Sequence, residues 1–133
     1  MKNTSTPLLI NRFVLLFLLV VSAFVAQAQS VQKHTLPNKK FERKMQKKDA
    51  IVLDVRTAEE FKAGHLPNAI NIDVQQEDFK QQLANLNKNK MYLIYCKSGR
   101  RSEKALKTFF AEGFKKAYHL KEGYVNWQGE KVQ

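Results

Sequence analysis

The sequence predicts an α/β fold, a parallel sheet of about five strands covered by helices on both faces, and three observations predict it. Two short apolar runs, residues 51–55 (broken only by Asp54) and residues 91–95, lack Gly and Pro and suit strands buried on both faces. Each run leads through turn residues into a helical signal, a capping box after the first and a 3.6-residue apolar period after the second. That alternation, in a chain long enough for one core and too short for two, is the pattern of parallel strands joined by helices.

Taken in order, residues 1–28 read as a signal peptide. Lys2 and Arg12 form a basic n-region, residues 13–25 an apolar h-region, and Ala26-Gln27-Ala28 a small-residue cleavage site, with the cut expected after Ala28. The h-region is short beside the roughly 20 residues of a spanning helix, so no stable membrane insertion is expected after cleavage. The residue directly after the cut is Gln29 and not a cysteine, so a lipid anchor is not indicated. The mature protein is expected to be periplasmic or secreted.

Residues 29–37 carry no periodicity and read as a flexible lead, with the folded domain over 38–133. Asn38 is a candidate cap for a helix over 39–48, with Phe41 and Met45 one turn apart on its buried face. The strand at 51–55 carries Asp54 near its end, and Arg56 follows. Thr57 and Glu60 form a capping box for a short helix that stops at Gly64. Residues 65–68 make a turn and 69–72 a short strand. A helix is expected over 74–86 from Phe79, Leu83 and Leu86, then a polar turn, then the central strand at 91–95. The helix at 100–112 places Ala105, Leu106, Phe109 and Phe110 on one face and Glu103, Lys104 and Lys107 on the other, and Gly113 ends it. A last strand at 117–120 and a turn or short helix at 122–127 complete the domain.

Chemistry concentrates at Cys96, the only cysteine. It stands at the carboxyl end of the central strand and ahead of a helix N-terminus, where unpaired N–H groups favour an anion. Lys97, Ser98, Gly99, Arg100, Arg101 and Ser102 form the loop after it, and the basic members favour the thiolate, the nucleophilic form. In open parallel sheets, sites form beyond the carboxyl ends of strands, which also brings in Asp54 and Arg56. A strand-end carboxylate paired with Arg56 is the favoured reading of Asp54, ahead of a general base. His65 reads as a hydrogen-bonding brace, and His34 and His119 as isolated. One cysteine and three scattered histidines make no metal set, and no cofactor motif is present. A net charge of +11 admits anionic partners, but the lysines are scattered and do not alternate with aromatics as a nucleic-acid groove requires.

These residues resemble the single-domain rhodaneses, a sulfurtransferase family, over almost all of the mature chain. The family's D-V-R and following E-[FY] appear as Asp54-Val55-Arg56 and Glu60-Phe61, and its G-H-I-P-G-A-x-N as Gly64 to Asn71, with Leu66 at the third position and Asn68 at the fifth. C-x-x-G-x-R-S is met by Cys96, Gly99, Arg101 and Ser102, and L-x-G-G-x-x-x-W by Leu120, Gly123 and Trp127 with Glu122 at its first glycine. The resemblance implies that Cys96 attacks the outer sulfur of a small anionic donor such as thiosulfate and carries the sulfur as a persulfide to a thiol or cyanide acceptor. It also implies backbone amides of the loop holding the sulfur, Lys97 and Arg100 meeting the donor, and Arg101 bracing the loop. A redox or sulfur-relay protein is a further partner to consider.

Three other readings compete. A cysteine phosphatase or arsenate reductase needs five residues between cysteine and arginine, whereas four separate Cys96 from Arg101 and Ser102 holds the sixth position. A non-catalytic partner-binding module would not need the cysteine. A persulfide carrier fed by another protein is the closest alternative.

Overall fold

The computed structural model describes residues 7–133. Residues 1–6, including Lys2 of the expected n-region, lie outside the described residues. Helix α1 runs unbroken over Pro7–Lys33, and the most apolar 18 residues of its stretch Asn11–Lys33 have a mean hydropathy of 2.1, enough in length and composition to cross a membrane. Signal sequences near an N-terminus share that property.

The second unit, residues 33–133, contains β1 (Thr35–Leu36), α2 (Asn38–Met45), β2 (Ala50–Asp54), α3 (Ala58–Lys62), β3 (Ile70–Asn71), α4 (Phe79–Ala84), β4 (Met91–Tyr95), α5 (Arg100–Ala111), β5 (Ala117–Leu120) and a 3-10 turn at Tyr124–Asn126. All five strands are parallel, in the order β1-β5-β4-β2-β3. β4 is central and fully flanked, as its apolar run requires.

The pleat decides which side chains meet. Val52 pairs in register with Leu93 and Asp54 with Tyr95. Val52, Leu93, Tyr95 and Leu120 share a buried cluster with Phe41 of α2, which covers that face. Successive residues alternate faces, so Tyr92, Ile94, Cys96 and His119 turn toward α5, where Tyr92 meets the Phe109 ring at 5.3 Å.

Several expectations need correction. Residues 35–36, expected within a flexible lead, are an edge strand: Leu36 is buried, its carbonyl accepts from Lys121 N–H at 2.9 Å, and His34 O accepts from His119 N–H at 3.0 Å. α2 ends at Met45 rather than 48 and is capped by Pro37, because the Asn38 amide instead donates to Asn126 O at 2.9 Å. α4 starts at Phe79 rather than 74. The Asp73 carboxylate accepts from Gln75 N–H and from the Gln76 amide, a local turn that outcompetes the helix there.

The other ends behave as the residues demand. Thr57 and Glu60 make both bonds of the capping box. Gly113 closes α5 with its own N–H on Phe110 O and Phe114 N–H on Phe109 O, the paired bonds of a left-handed helix stop. Asn68, where its motif has glycine, sits at φ +57, a conformation asparagine tolerates.

Candidate active site

Cys96 leaves the end of β4 with its residue 1 % exposed. Gly99 N–H donates to its Sγ at 3.1 Å, and Ser102 Oγ lies 3.6 Å from the same sulfur. The loop turns at Gly99, whose φ of +95 serves as the left-handed entrance to α5. A Cβ there would run into the carbonyl of Lys121, so only glycine fits. Of the expected loop amides, that of Gly99 is the one aimed at the sulfur. Lys97, Ser98 and Arg100 are exposed around the loop, while Ser102 is buried beneath it.

Two braces hold the loop. On one side the terminal turn donates to it, with Tyr124 N–H on Cys96 O at 2.8 Å and Val125 N–H on Lys97 O at 3.1 Å. Gly123 makes this approach possible, since a Cβ at its φ of +70 would meet Lys97 carbonyl and Ser98 nitrogen. On the other side Arg101 forms a two-pronged ion pair with Glu60, at 2.7 and 2.8 Å. Hydrogen bonding from Arg101, ahead of the opposing effect of burial and with help from Thr57 N–H, holds the Glu60 carboxyl down to about 2. The same ion pair raises Arg101 above its usual value. The capping box of α3 is thereby tied to the first turn of α5.

Asp54 and Arg56 lie beside this site in the backbone, where Val55 N–H donates to Tyr95 O at 3.0 Å, but their side chains serve the opposite face. Arg56 binds Asp54 through Nε at 3.0 Å and a second guanidinium nitrogen at 2.6 Å, and reaches Gly64 O at 2.6 Å. Both residues are buried, and the guanidinium stacks 4.1 Å over the Tyr124 ring. Asp54 is thus the paired carboxylate expected, and its oxygens are committed to Arg56. A cavity of about 250 Å³ opens beside this pair, lined by Arg56, Glu60, Gly64, Lys97, Tyr124 and Val125.

The histidines differ from expectation in one respect. His65 is the expected brace, its Nδ1 donating to Phe61 O at 3.0 Å. His34 and His119, read as isolated, are not. His34 donates to Ala117 O at 2.7 Å and stacks on Tyr118. His119 is buried with Nδ1 3.1 Å from Ser102 Oγ, one residue removed from the sulfur. The C-x-x-G-x-R-S pattern joins positions 96 and 102, but no motif joins 119 to them; the pleat and α5 bring it there. Among the described residues no cluster of His, Cys, Asp and Glu forms a metal centre.

Chemically, a thiol at a strand end, with an N–H on the sulfur and cations at the rim, suits attack on an anionic substrate. A family model described as a rhodanese-like domain matches residues 37–130. The tRNA uridine(34) hydroxylase of Buchnera aphidicola subsp. Schizaphis graminum is 39 % identical over 84 residues, 60 % of this chain and 27 % of that protein. YrkF of Bacillus subtilis (strain 168), provisionally named a sulfur carrier protein, is 37 % identical over 79 residues, 59 % of this chain and 42 % of that protein. The chain thus spans less than half the length of these curated relatives. A rhodanese-like domain protein from Staphylococcus aureus superposes with a TM-score of 0.63 at 31 % identity, covering 72 % of this chain and 92 % of that one.

Proposed function

This chain belongs to the rhodanese-like domain family, and from that premise we propose that it is an exported sulfurtransferase working through a persulfide on Cys96. The Cys96 thiolate attacks the outer sulfur of thiosulfate or another persulfide donor. The donor's S–S bond breaks, the inner group leaves with the electron pair as sulfite from thiosulfate or as a thiolate from a persulfide, and a new S–S bond forms on Cys96. A thiolate or cyanide acceptor then attacks the terminal sulfur, and the Cys96 thiolate returns. Lys97 and Arg100 draw the anionic donor to the rim, and Gly99 N–H steadies the charge on sulfur.

The observation that carries this reading is the geometry of Arg101. Phosphatase chemistry needs its loop arginine over the substrate, whereas here both ends of the guanidinium are held by Glu60. What remains at the sulfur is an N–H donor and a hydroxyl, suited to a small sulfur anion. Export rests on the leader-like composition of residues 1–28 and would leave a chain beginning at Gln29.

Intact mass after thiosulfate treatment tests the chemistry. The protein is expected to gain one sulfur atom that cyanide or a thiol removes, and Cys96→Ser to gain none. Equal loading of the Ser variant would sink the mechanism. A protein that loads only from a persulfidated protein and not from thiosulfate would be a carrier, the reading to which the sulfur carrier relative lends support.

A further inference from the structure

A second cavity lies on the α2 face of the sheet, opposite to the face toward which Cys96 turns. It encloses about 370 Å³ between α2, β2, the 65–68 turn and the segment after the 3-10 turn. None of its lining residues is shared with the cavity beside Arg56. The volume falls within the roughly 300 to 1,000 Å³ of small-molecule pockets. Met45, Ala50, Val52 and Trp127 make one wall apolar, and Val52 and Trp127 belong to the buried cluster of that face. Asn68, at the position where the rhodanese pattern has glycine, adds a carboxamide-bearing residue to the lining.

The charges at this cavity run against those of the chain. The protein carries a net charge of +11, yet the lining holds two carboxylates, Glu42 and Glu130, and no lysine or arginine. Among the described residues neither carboxylate has an ion-pair partner, the acids so engaged being Asp49, Asp54, Glu60, Glu103 and Glu112. The adjacent cations are directed elsewhere: Lys131 lies 4.5 Å over the Tyr124 ring, and Arg43 lines a separate groove with Lys40, Lys44 and Lys47. Trp127 Nε1 donates to Glu130 O at 3.1 Å, which fixes the backbone of Glu130 beside the indole. Two carboxylates are too few for a calcium-type site, and no cluster of three His, Cys, Asp or Glu forms among the described residues. Set beside an apolar wall they suit an organic cation, with its charge toward the carboxylates and its hydrocarbon against Met45, Val52 and Trp127.

We propose that this cavity is a binding site for a small primary amine on an unbranched apolar stem, with Glu42 and Glu130 on either side of its ammonium group. The site is separate from the Cys96 chemistry and does not rest on it. At pH 7 such an amine is charged, since an alkyl ammonium of the lysine kind loses its proton only near about pH 10.4. Both carboxylates are exposed, so each adds a modest factor and burial of the stem supplies the rest. A carboxylate of the same length would meet two like charges and be excluded, and an alcohol would forgo the ionic contribution.

Trp127 is the only tryptophan of the chain and lines the cavity, so its fluorescence reports occupancy from within. The full-length protein is titrated at pH 7 with pentylamine, 1-pentanol and pentanoate, by calorimetry for affinity and by Trp127 emission for place. Pentylamine is expected to bind and to change the emission, with affinity falling about fourfold for each methylene removed on going to butylamine and propylamine. Pentanol and pentanoate are expected to bind about tenfold more weakly or less. Glu42→Gln and Glu130→Gln should each cost about threefold in pentylamine affinity, and the double variant about tenfold. Both acids are exposed and without ion-pair partners, so neither substitution removes a contact that holds the fold. Absence of pentylamine binding, binding no tighter than that of pentanol, an affinity unmoved in the double variant, or binding that leaves Trp127 emission unchanged would each overturn the proposal.

Discussion

Glu60 is bound from two directions, by Thr57 N–H at 3.1 Å within its own helix and by Arg101 across the site. Its carboxyl, held down to about 2 from a usual 4.5, gives a definite pH dependence. A carboxyl with a depressed folded-state value contributes stability that is full above pH 4.5 and is lost as the pH falls toward 2. With both side chains about three-quarters covered, that contribution is on the order of 2 kcal/mol. Glu60→Gln is expected to lower urea stability at pH 7 by about that amount and to flatten the acid limb between pH 4.5 and 2. A variant with the wild-type acid limb would show that the ion pair adds nothing. The residue pair was half legible in sequence. The capping box announces Glu60 and the C-x-x-G-x-R-S pattern announces Arg101, but 41 positions separate them and only the fold joins them. His119 was less legible still, since a lone histidine in a strand carries no local mark of its neighbours.

Among the elements, the Cys96 loop is shaped by the terminal turn as much as by α5. Gly123 brings its backbone against Lys97 and Ser98, and Tyr124 and Val125 N–H groups bind the loop carbonyls. Gly123→Ala combines a strained positive φ with a collision against backbone, which cannot step aside as a side chain does. It is expected to destabilise the domain by about 2 kcal/mol or more and to slow Cys96 alkylation, both read against wild type by urea unfolding and mass. Unchanged stability would mean that the turn detaches freely from the loop. The apolar runs of β2 and β4 and the apolar period of α5 are readable because burial fixes their pattern, while the capping box marks the start of α3 and Gly113 the end of α5. α4 was overread because Asp73 offers the backbone a turn that hydrophobic spacing cannot reveal. β1 was overlooked because two residues have no period; its only signals are Thr35 and Leu36, apolar or β-branched, and a sheet edge waiting elsewhere in the chain.

At the level of the folded unit, that edge strand decides where the domain begins. β1 covers β5, and its loss would bare His119 and Lys121 N–H groups along a sheet edge. It would also remove the Thr35 hydroxyl that lies 3.0 Å from His119 Nε2. A chain beginning at Gln29, the expected product of cleavage after Ala28, keeps both residues of β1. A chain beginning at Asn38, where the sequence alone put the start of the domain, does not. Burial of Leu36 contributes roughly 1.5 to 3 kcal/mol, so the shorter chain is expected to unfold at lower urea by about 2 kcal/mol. Equal stability of the two chains would show β1 to be an ornament of the sheet edge.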